Sequence, residues 1–297
     1  MRVLVTGGAS GIGAAAVARF RRDGARAAAL DLDRERLARV NADARVVADV
    51  SVEDEVSRAV DEAAEGLGGL DVVVSCAGIA ARGTVPETAL ADWERVFAVN
   101  VCGVYLTAKA AIPHLRRAGG GAIVNVASQL GLVGVSNAAA YCASKGAVVL
   151  LTRAMAVDHA AEGIRVNCVC PGPTETPLLE KYVTATADPV AERQRYEQAQ
   201  VHGRLVTAEE VADGSALPFP DGAFDLVLLL NMIPFFEELV RVVAPAGRVV
   251  FAFSFGSGTP IYVPPETLRS RLAPLGFGGF EELAAGSGTA LLAYRIV

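Results

Sequence analysis

Thr6-Gly-Gly-Ala-Ser-Gly-Ile-Gly13 follows a short apolar run, Arg2 to Val5, and opens a stretch of helical character, Gly11 to Arg22. A glycine turn between a strand and a helix lets backbone approach a pyrophosphate closely. The free N–H groups of the helix N-terminus then face the anion. Gly7, Gly11 and Gly13 are the residues that would permit this. The same spacing also suits a tight turn with no ligand, so the neighbouring pattern has to decide.

Working outward, apolar runs at Ala27–Leu30, Arg45–Ala48, Asp71–Ser75, Ala122–Ala127 and Ile164–Val169 alternate with helical periodicity. The helices fall at Val52 to about Gly66, Ala89–Arg117 with a break near Asn100, and Ala138–Ala161. This alternation predicts an α/β fold: a doubly wound parallel sheet of Rossmann type, with strands apolar throughout because helices cover both faces. Asp31 closes the second strand, 18 residues after Gly13. A carboxylate there accepts both ribose hydroxyls of NAD and repels the extra phosphate of NADP, so NAD is preferred, although Arg34 stands nearby. Asp49 closes the third strand and either takes the adenine amine or caps the following helix.

Tyr141 and Lys145 lie four apart on a predicted helix and share a face. A free tyrosine titrates near pH 10. Bringing it to neutrality requires about 3 units, or ~4 kcal/mol, which a nearby ammonium and a cationic nicotinamide would supply. Ser128 ends the fifth strand, at the sheet edge where doubly wound folds bind ligands. Its hydroxyl can polarise a carbonyl that the tyrosine protonates.

Thr6-Gly7-x3-Gly11-x-Gly13, Asn100, Ser128 and Tyr141-x3-Lys145, in this order, resemble the short-chain dehydrogenase/reductase family. So do Ile123-Val-Asn-Val-Ala-Ser128 and Asn167-Cys-Val-Cys-Pro171-Gly172-Pro-Thr-Glu-Thr176-Pro. The resemblance covers roughly residues 1–212. It implies an NAD(P)-dependent oxidoreductase passing hydride between nicotinamide and a secondary alcohol or ketone. By this likeness Tyr141 is the acid/base, Ser128 orients substrate, Lys145 binds the nicotinamide ribose, and Asn100 holds a water in a proton relay. The cofactor positions are Gly7, Ser10, Gly11, Ile12, Gly13, Asp31, Asp49, Val50, Ala77, Gly78, Tyr141, Lys145, Pro171, Gly172, Thr174 and Thr176. Ala77 and Gly78 match the family's Asn-Asn-Ala-Gly turn, but Ser75-Cys76 replace its two asparagines, so a weaker backbone clamp that still binds cofactor is expected. The likeness also implies a homo-oligomer, a dimer rather than a tetramer. Residues Gln129–Asn137 and Leu178–Val201 should line the substrate pocket, with Val133, Val135, Leu178 and Leu179 making it partly apolar.

From Asp213 the pattern changes. Asp213-Gly-Ser-Ala-Leu-Pro-Phe-Pro-Asp-Gly-Ala-Phe-Asp-Leu-Val resembles the second half of an S-adenosylmethionine-dependent methyltransferase, as do Arg241–Val250 and Leu272–Phe277. The half with that family's glycine loop is absent. Residues 213–297 thus read as a methyltransferase-like segment: a loop at Leu217–Gly222, a strand at Phe224–Leu230, a helix at Phe235–Val243, a strand at Gly247–Phe255, a helix at Pro265–Leu275 and a closing hairpin. We expect Phe224–Leu230 to pair beside the sixth strand and extend the sheet; a separate small lobe is the alternative. The hybrid end leaves two other functions in view: cofactor binding without turnover, and methyl transfer.

The 297 residues are 52% hydrophobic and 20% charged, with a net charge of −6. A sizeable core is affordable, and no basic stripe invites nucleic acid. No secretory pattern precedes Thr6, and the apolar run at Leu226–Leu230 is too short to span a bilayer, so a cytoplasmic protein with no membrane partner is expected. Cys76, Cys102, Cys142, Cys168 and Cys170 lack CxxC spacing and read as small buried apolar residues. His114, His159 and His202 lack metal-ligand spacing and read as surface or helix-end residues, with no metal expected. Trp93 should pack helix against sheet.

Overall fold

The structure, a computed structural model, describes residues 1–200, 203–213, 224–230, 239–240, 243–253, 263–285 and 288–296. Two compact units divide the chain, Met1–Asp213 and Gly214–Val297.

In the first unit six parallel strands, β1 (Arg2–Thr6), β2 (Arg26–Asp31), β3 (Ala44–Val47), β4 (Val72–Ser75), β5 (Gly121–Val126) and β6 (Ile164–Val169), lie in the order β3-β2-β1-β4-β5-β6. The order reverses between β1 and β4, which makes their C-terminal ends the switch point where such sheets bind ligands. The two faces are separately buried, as period-two alternation requires. Val3, Val5, Ala27 and Ala29 meet Ala16 and Val17 of α1 (Gly11–Arg22). Leu4, Ala28 and Leu30 meet Val56, Val60 and Leu67 of α3 (Glu53–Leu67), which follows the short α2 (Arg34–Leu37). Burying one such leucine contributes about 1.5–3 kcal/mol.

The long periodic segment around Asn100 is two helices, α4 (Leu90–Phe97) and α5 (Gly103–Arg117), joined by a π-helical turn at Ala98–Cys102. The break expected near Asn100 is therefore an extra residue in one turn, a device that recurs at functional sites. Trp93 does not wedge helix against sheet. It stacks on Phe97, one turn along its own helix, with ring centroids 4.7 Å apart. The Ala-rich helix α6 (Ala139–His159) buries Ala140, Ser144, Val148 and Thr152, one residue per turn; it packs on β6, and Thr152 accepts from the Asn125 side-chain amide of β5. The α4–α5 segment and α6 are long and apolar enough to cross a membrane. Here their apolar faces lie against the sheet, where Ala111, Leu115, Val148 and Val149 are buried.

β6 departs from the expected all-apolar strand: Arg165, Asn167 and Val169 alternate outward and are exposed. Helix α6 covers only one of its faces. Beyond it come a two-residue parallel pair, β7 (Thr174–Glu175) with β8 (Val206–Thr207), and the helices α7 (Pro177–Thr184), α8 (Pro189–Gln198) and α9 (Ala208–Asp213). Helix α9 packs on α1, and Asp213 pairs with Arg19.

The second unit has its own sheet, ordered β11-β12-β10-β9, from β9 (Phe224–Leu230), β10 (Val243–Phe253), β11 (Phe277–Ala285) and β12 (Gly288–Arg295). β9 and β10 are parallel, and the closing hairpin is antiparallel as expected. The expectation that Phe224–Leu230 pairs beside the sixth strand is corrected: its partner is β10. Helix α10 (Pro265–Leu272) supplies the physical reason. Its Leu268 and Leu272 bury with Val249, Phe251, Phe277 and Leu291, so these strands close a core of their own. Of the helix expected at Phe235–Val243, Leu239 and Val240 are helical and Val243 begins β10, while the rest lies outside the described residues. The expected Leu217–Gly222 loop and His202 also lie outside them.

Candidate active site

A cavity of about 820 Å³ opens at the C-terminal ends of β1, β4, β5 and β6. Every candidate cofactor or catalytic residue lines it except Gly13 and Asn100, which stand directly behind its wall.

The wall at one end is backbone. Gly7 has φ +65°, and a Cβ on it would lie 2.7 Å from the Ala77 nitrogen. A Cβ on Gly13 would collide with the Gly7 carbonyl oxygen. The glycine turn therefore nests against the Cys76–Ala77 turn and under the start of α1. Thr6, almost fully buried, clamps that second turn: its hydroxyl accepts from the N–H of Cys76 (3.1 Å) and of Ala77 (3.3 Å). The turn that lacks the two asparagines is thus held from the β1 side. Ser75, buried in place of the first of them, has no hydrogen-bond partner for its hydroxyl among the described residues.

Asp31 accepts from the N–H of Ala9 (3.0 Å, Oδ2) and of Asp33 (3.0 Å, Oδ1), which fixes its carboxylate beside the glycine turn while it lines the cavity. Asp49 is not the N-cap of α3; that position is Val52. Its Oδ1 instead accepts from the N–H and hydroxyl of Ser51, at 2.8 and 2.6 Å. A close-approach glycine cradle, a helix N-terminus and carboxylates at the β2 and β3 ends fit a dinucleotide.

At the other end, Tyr141 and Lys145 rise from the first turns of α6. The Lys145 ammonium lies 5.8 Å from the Tyr141 ring centre and donates to the Val126 carbonyl at 2.7 Å. Burial makes Lys145 lose its proton more easily, bringing it down to about 8. Burial pushes the Tyr141 phenol up to about 12, opposed by a hydrogen bond with Ser128. The protein groups alone thus move Tyr141 opposite to the expected direction, because desolvation of a phenolate outweighs the partners offered to it. Ser128 is buried, and its hydroxyl also accepts from the Leu130 N–H (3.1 Å).

Asn100 is wholly buried in the π-helical turn. Its amide donates to the Ile79 carbonyl (2.9 Å) and to the Ser144 hydroxyl (3.0 Å), and its oxygen accepts from the Ile79 N–H (2.8 Å). Both amide hydrogens are spent on protein. The residue ties the loop after β4 to the helix that carries Tyr141. Gly172, Thr174 and Thr176 reach the cavity from the segment after β6, where the Thr176 hydroxyl caps α7 by accepting from the Leu179 N–H.

Of the side chains expected at a substrate pocket, Gln129, Val135, Leu178 and Leu179 line the cavity, whereas Val133 does not and is exposed. Arg82, which the sequence pattern did not single out, also lines the cavity, from an irregular loop with no periodicity to assign it. The cysteines are not uniformly buried: Cys102 is exposed and the others are half-buried. Cys76 lines the cavity, with its thiol pushed up to about 11 by burial. His114 and His159 sit at the ends of α5 and α6, against Asp61 and Glu162.

The short chain dehydrogenase family matches residues 1–187, and a methyltransferase domain matches residues 181–251. The chain is 40% identical over 227 residues to the meso-2,3-butanediol dehydrogenase of Serratia marcescens, covering 74% of this chain and 88% of that one. It is 42% identical over 228 residues to the cis-4-hydroxycyclohexanecarboxylate dehydrogenase of Sinomonas cyclohexanicum, covering 74% and 89%. The ligand-free aldohexose dehydrogenase of Thermoplasma acidophilum superposes with a TM-score of 0.67 at 31% identity, over 71% of this chain and 84% of that one. The chain belongs to the short-chain dehydrogenase family and is an NAD(P)-dependent oxidoreductase of secondary alcohols with a Rossmann-type fold. Its C-terminal segment is methyltransferase-like.

Proposed function

We propose that this enzyme interconverts a secondary alcohol and its ketone with NAD rather than NADP. The observation that carries the preference is Asp31. Its carboxylate is pinned by two backbone N–H groups at the end of β2, where an added phosphate would meet a fixed negative charge. A dinucleotide held by the glycine turn and Asp31 would supply or accept the hydride at the far end of the cavity, beside Tyr141. Tyr141 gives the carbonyl oxygen its proton, or takes it from the alcohol. Ser128 shares a hydrogen bond with Tyr141 and orients the same oxygen. Lys145, held by the Val126 carbonyl, places a positive charge beside the phenol and binds the cofactor ribose. Asn100 is a positioning residue that fixes Ile79 and Ser144 around this pair; its side chain has no amide hydrogen left for a water relay.

The names of the relatives support a hydroxylated carbon skeleton as substrate, acyclic in one and cyclic in another. Exposed apolar side chains on the outer faces of α5 and α6, Tyr105, Leu150 and Val157, support a homodimer paired through these helices. The cytoplasm, which offers both cofactor and reduced thiols, is the compartment we assign. The test is oxidation of a panel of vicinal diols and cyclic secondary alcohols with NAD⁺ and NADP⁺ in parallel. The expected result is a kcat/KM at least about tenfold higher with NAD⁺. Equal use of both, or a preference for NADP⁺, contradicts the role given to Asp31.

A further inference from the structure

The substrate end of the cavity holds charge that the reaction itself does not use. We propose that it is built for a secondary alcohol or ketone that also bears a carboxylate, gripped by Arg82. The inference rests on the dehydrogenase reading above and names its substrate class.

Arg82 is anchored to the catalytic helix. The next residue, Gly83, donates its N–H to the Asn137 carbonyl (3.1 Å) and accepts from the Ala139 N–H (3.3 Å). Ala139 is the first residue of α6 and Tyr141 lies in the same turn, a rise of about 3 Å. The Arg82 guanidinium lies over the Tyr182 ring, 4.4 Å from its centre. Tyr182 in turn donates its hydroxyl to the Asn137 carbonyl (3.1 Å) and stands near enough to Tyr141 to raise its pKa. Arg82 therefore belongs to the same wall as the acid/base.

Its hydrogen bonds are one-sided. Nη1 reaches the Tyr182 carbonyl (3.4 Å) and Glu192 Oε1 (3.3 Å). Nε and Nη2 have no partner among the described residues, although the side chain is only 30% exposed and lines the cavity. A half-buried guanidinium with an unspent pair of parallel donors matches a carboxylate, which accepts both at once.

The local charge agrees. Glu192 is partly buried and already grasped in two-pronged fashion by Arg195, at 3.0 and 2.8 Å. Arg195 first, then Arg82, hold its carboxyl below the usual range, so it stays charged. Two guanidiniums thus share one carboxylate and leave a net positive charge. The carboxylates that line the cavity, Asp31 and Asp49, belong to the β2 and β3 ends, on the far side of β1 and β4. One monoanionic substrate would neutralise the cluster.

The test pairs 3-hydroxybutyrate, 4-hydroxypentanoate and 3-hydroxyhexanoate with their neutral amides. Each is titrated calorimetrically into the Tyr141→Phe enzyme with NAD⁺ present, so that binding is read without turnover. At least one acid is expected to bind ten times or more tighter than its amide. That ratio should collapse towards one in the added Arg82→Gln variant and fall to an intermediate value in Arg82→Lys, which keeps the charge but not the fork. Equal affinity for acid and amide in every pair overturns the proposal. So does a preference that survives in both Arg82 variants, since Arg82 would then only brace α8. Loss of redox turnover in the unmodified enzyme with the acid preference intact sinks the dehydrogenase reading and leaves the carboxylate site standing.

Discussion

At the scale of single residues, the site turns on positions that tolerate no other residue. Gly13 is one. A methyl group there falls on the Gly7 carbonyl, so Gly13→Ala must push the glycine turn into the cofactor cradle. NADH affinity measured by fluorescence should drop at least about tenfold, the factor for a loss of ~1.4 kcal/mol. Tyr141 and Lys145 carry the pH dependence. Ketone reduction needs a protonated tyrosine, and burial that pushes Tyr141 up to about 12 keeps it protonated throughout the working range. Lys145, brought down to about 8, discharges first as pH rises. The kcat/KM for ketone reduction should therefore be flat below pH 8 and fall above it, following the lysine rather than the tyrosine. A profile rising through pH 8–9 would contradict this order. Most of these residues were legible because each is named by a spacing: glycines in a turn, a tyrosine and lysine one helical turn apart. Arg82 was not, since its role comes from a loop fastened to the start of α6.

At the scale of elements, the local rules explain what holds the periphery in place. Helix α9 carries a reciprocal cap: the Thr207 hydroxyl accepts from the Glu210 N–H (3.2 Å), and the Glu210 carboxylate accepts from the Thr207 N–H (2.8 Å). Arg204 adds a two-pronged ion pair at 2.6 and 2.9 Å. Together they lower the Glu210 pKa to about 2. A carboxyl whose folded pKa lies below its unfolded value of about 4.3 stabilises in full above that value, and loses this as pH falls towards 2. Glu210→Gln should lower Tm at pH 7 by a few degrees, and by much less near pH 2, where the folded-state carboxyl is itself about half protonated. Circular dichroism melts at the two pH values check it. Strand and helix positions in the first unit were legible from period and punctuation. The π-helical turn at Ala98–Cys102 showed only as a break, because periodicity marks an interruption without its hydrogen-bond pattern. The outward polarity of Arg165 and Asn167 stood in the sequence, and reads as a strand covered on one face only.

At the scale of the whole molecule, two sheets with separate cores make a chain of two cooperative units the natural proposal. Calorimetry should resolve two thermal transitions, with NADH raising only one of them. A single transition that moves as a whole would contradict that division. The change of pattern at Asp213 was readable as a change of resemblance. The pairing of Phe224–Leu230 was not, since an apolar strand specifies burial and a neighbour but not which neighbour.

The central claim is that one cavity binds NAD and performs acid–base chemistry through Tyr141. Its most direct test is a titration of the unmodified enzyme and of Tyr141→Phe with NADH, followed by nicotinamide fluorescence, with ketone turnover measured on the same samples. Similar NADH affinity in both, with turnover reduced by about 10²–10⁴ in the variant, is the expected result. Absence of NADH binding in the unmodified enzyme, or undiminished turnover without the phenol, would contradict it.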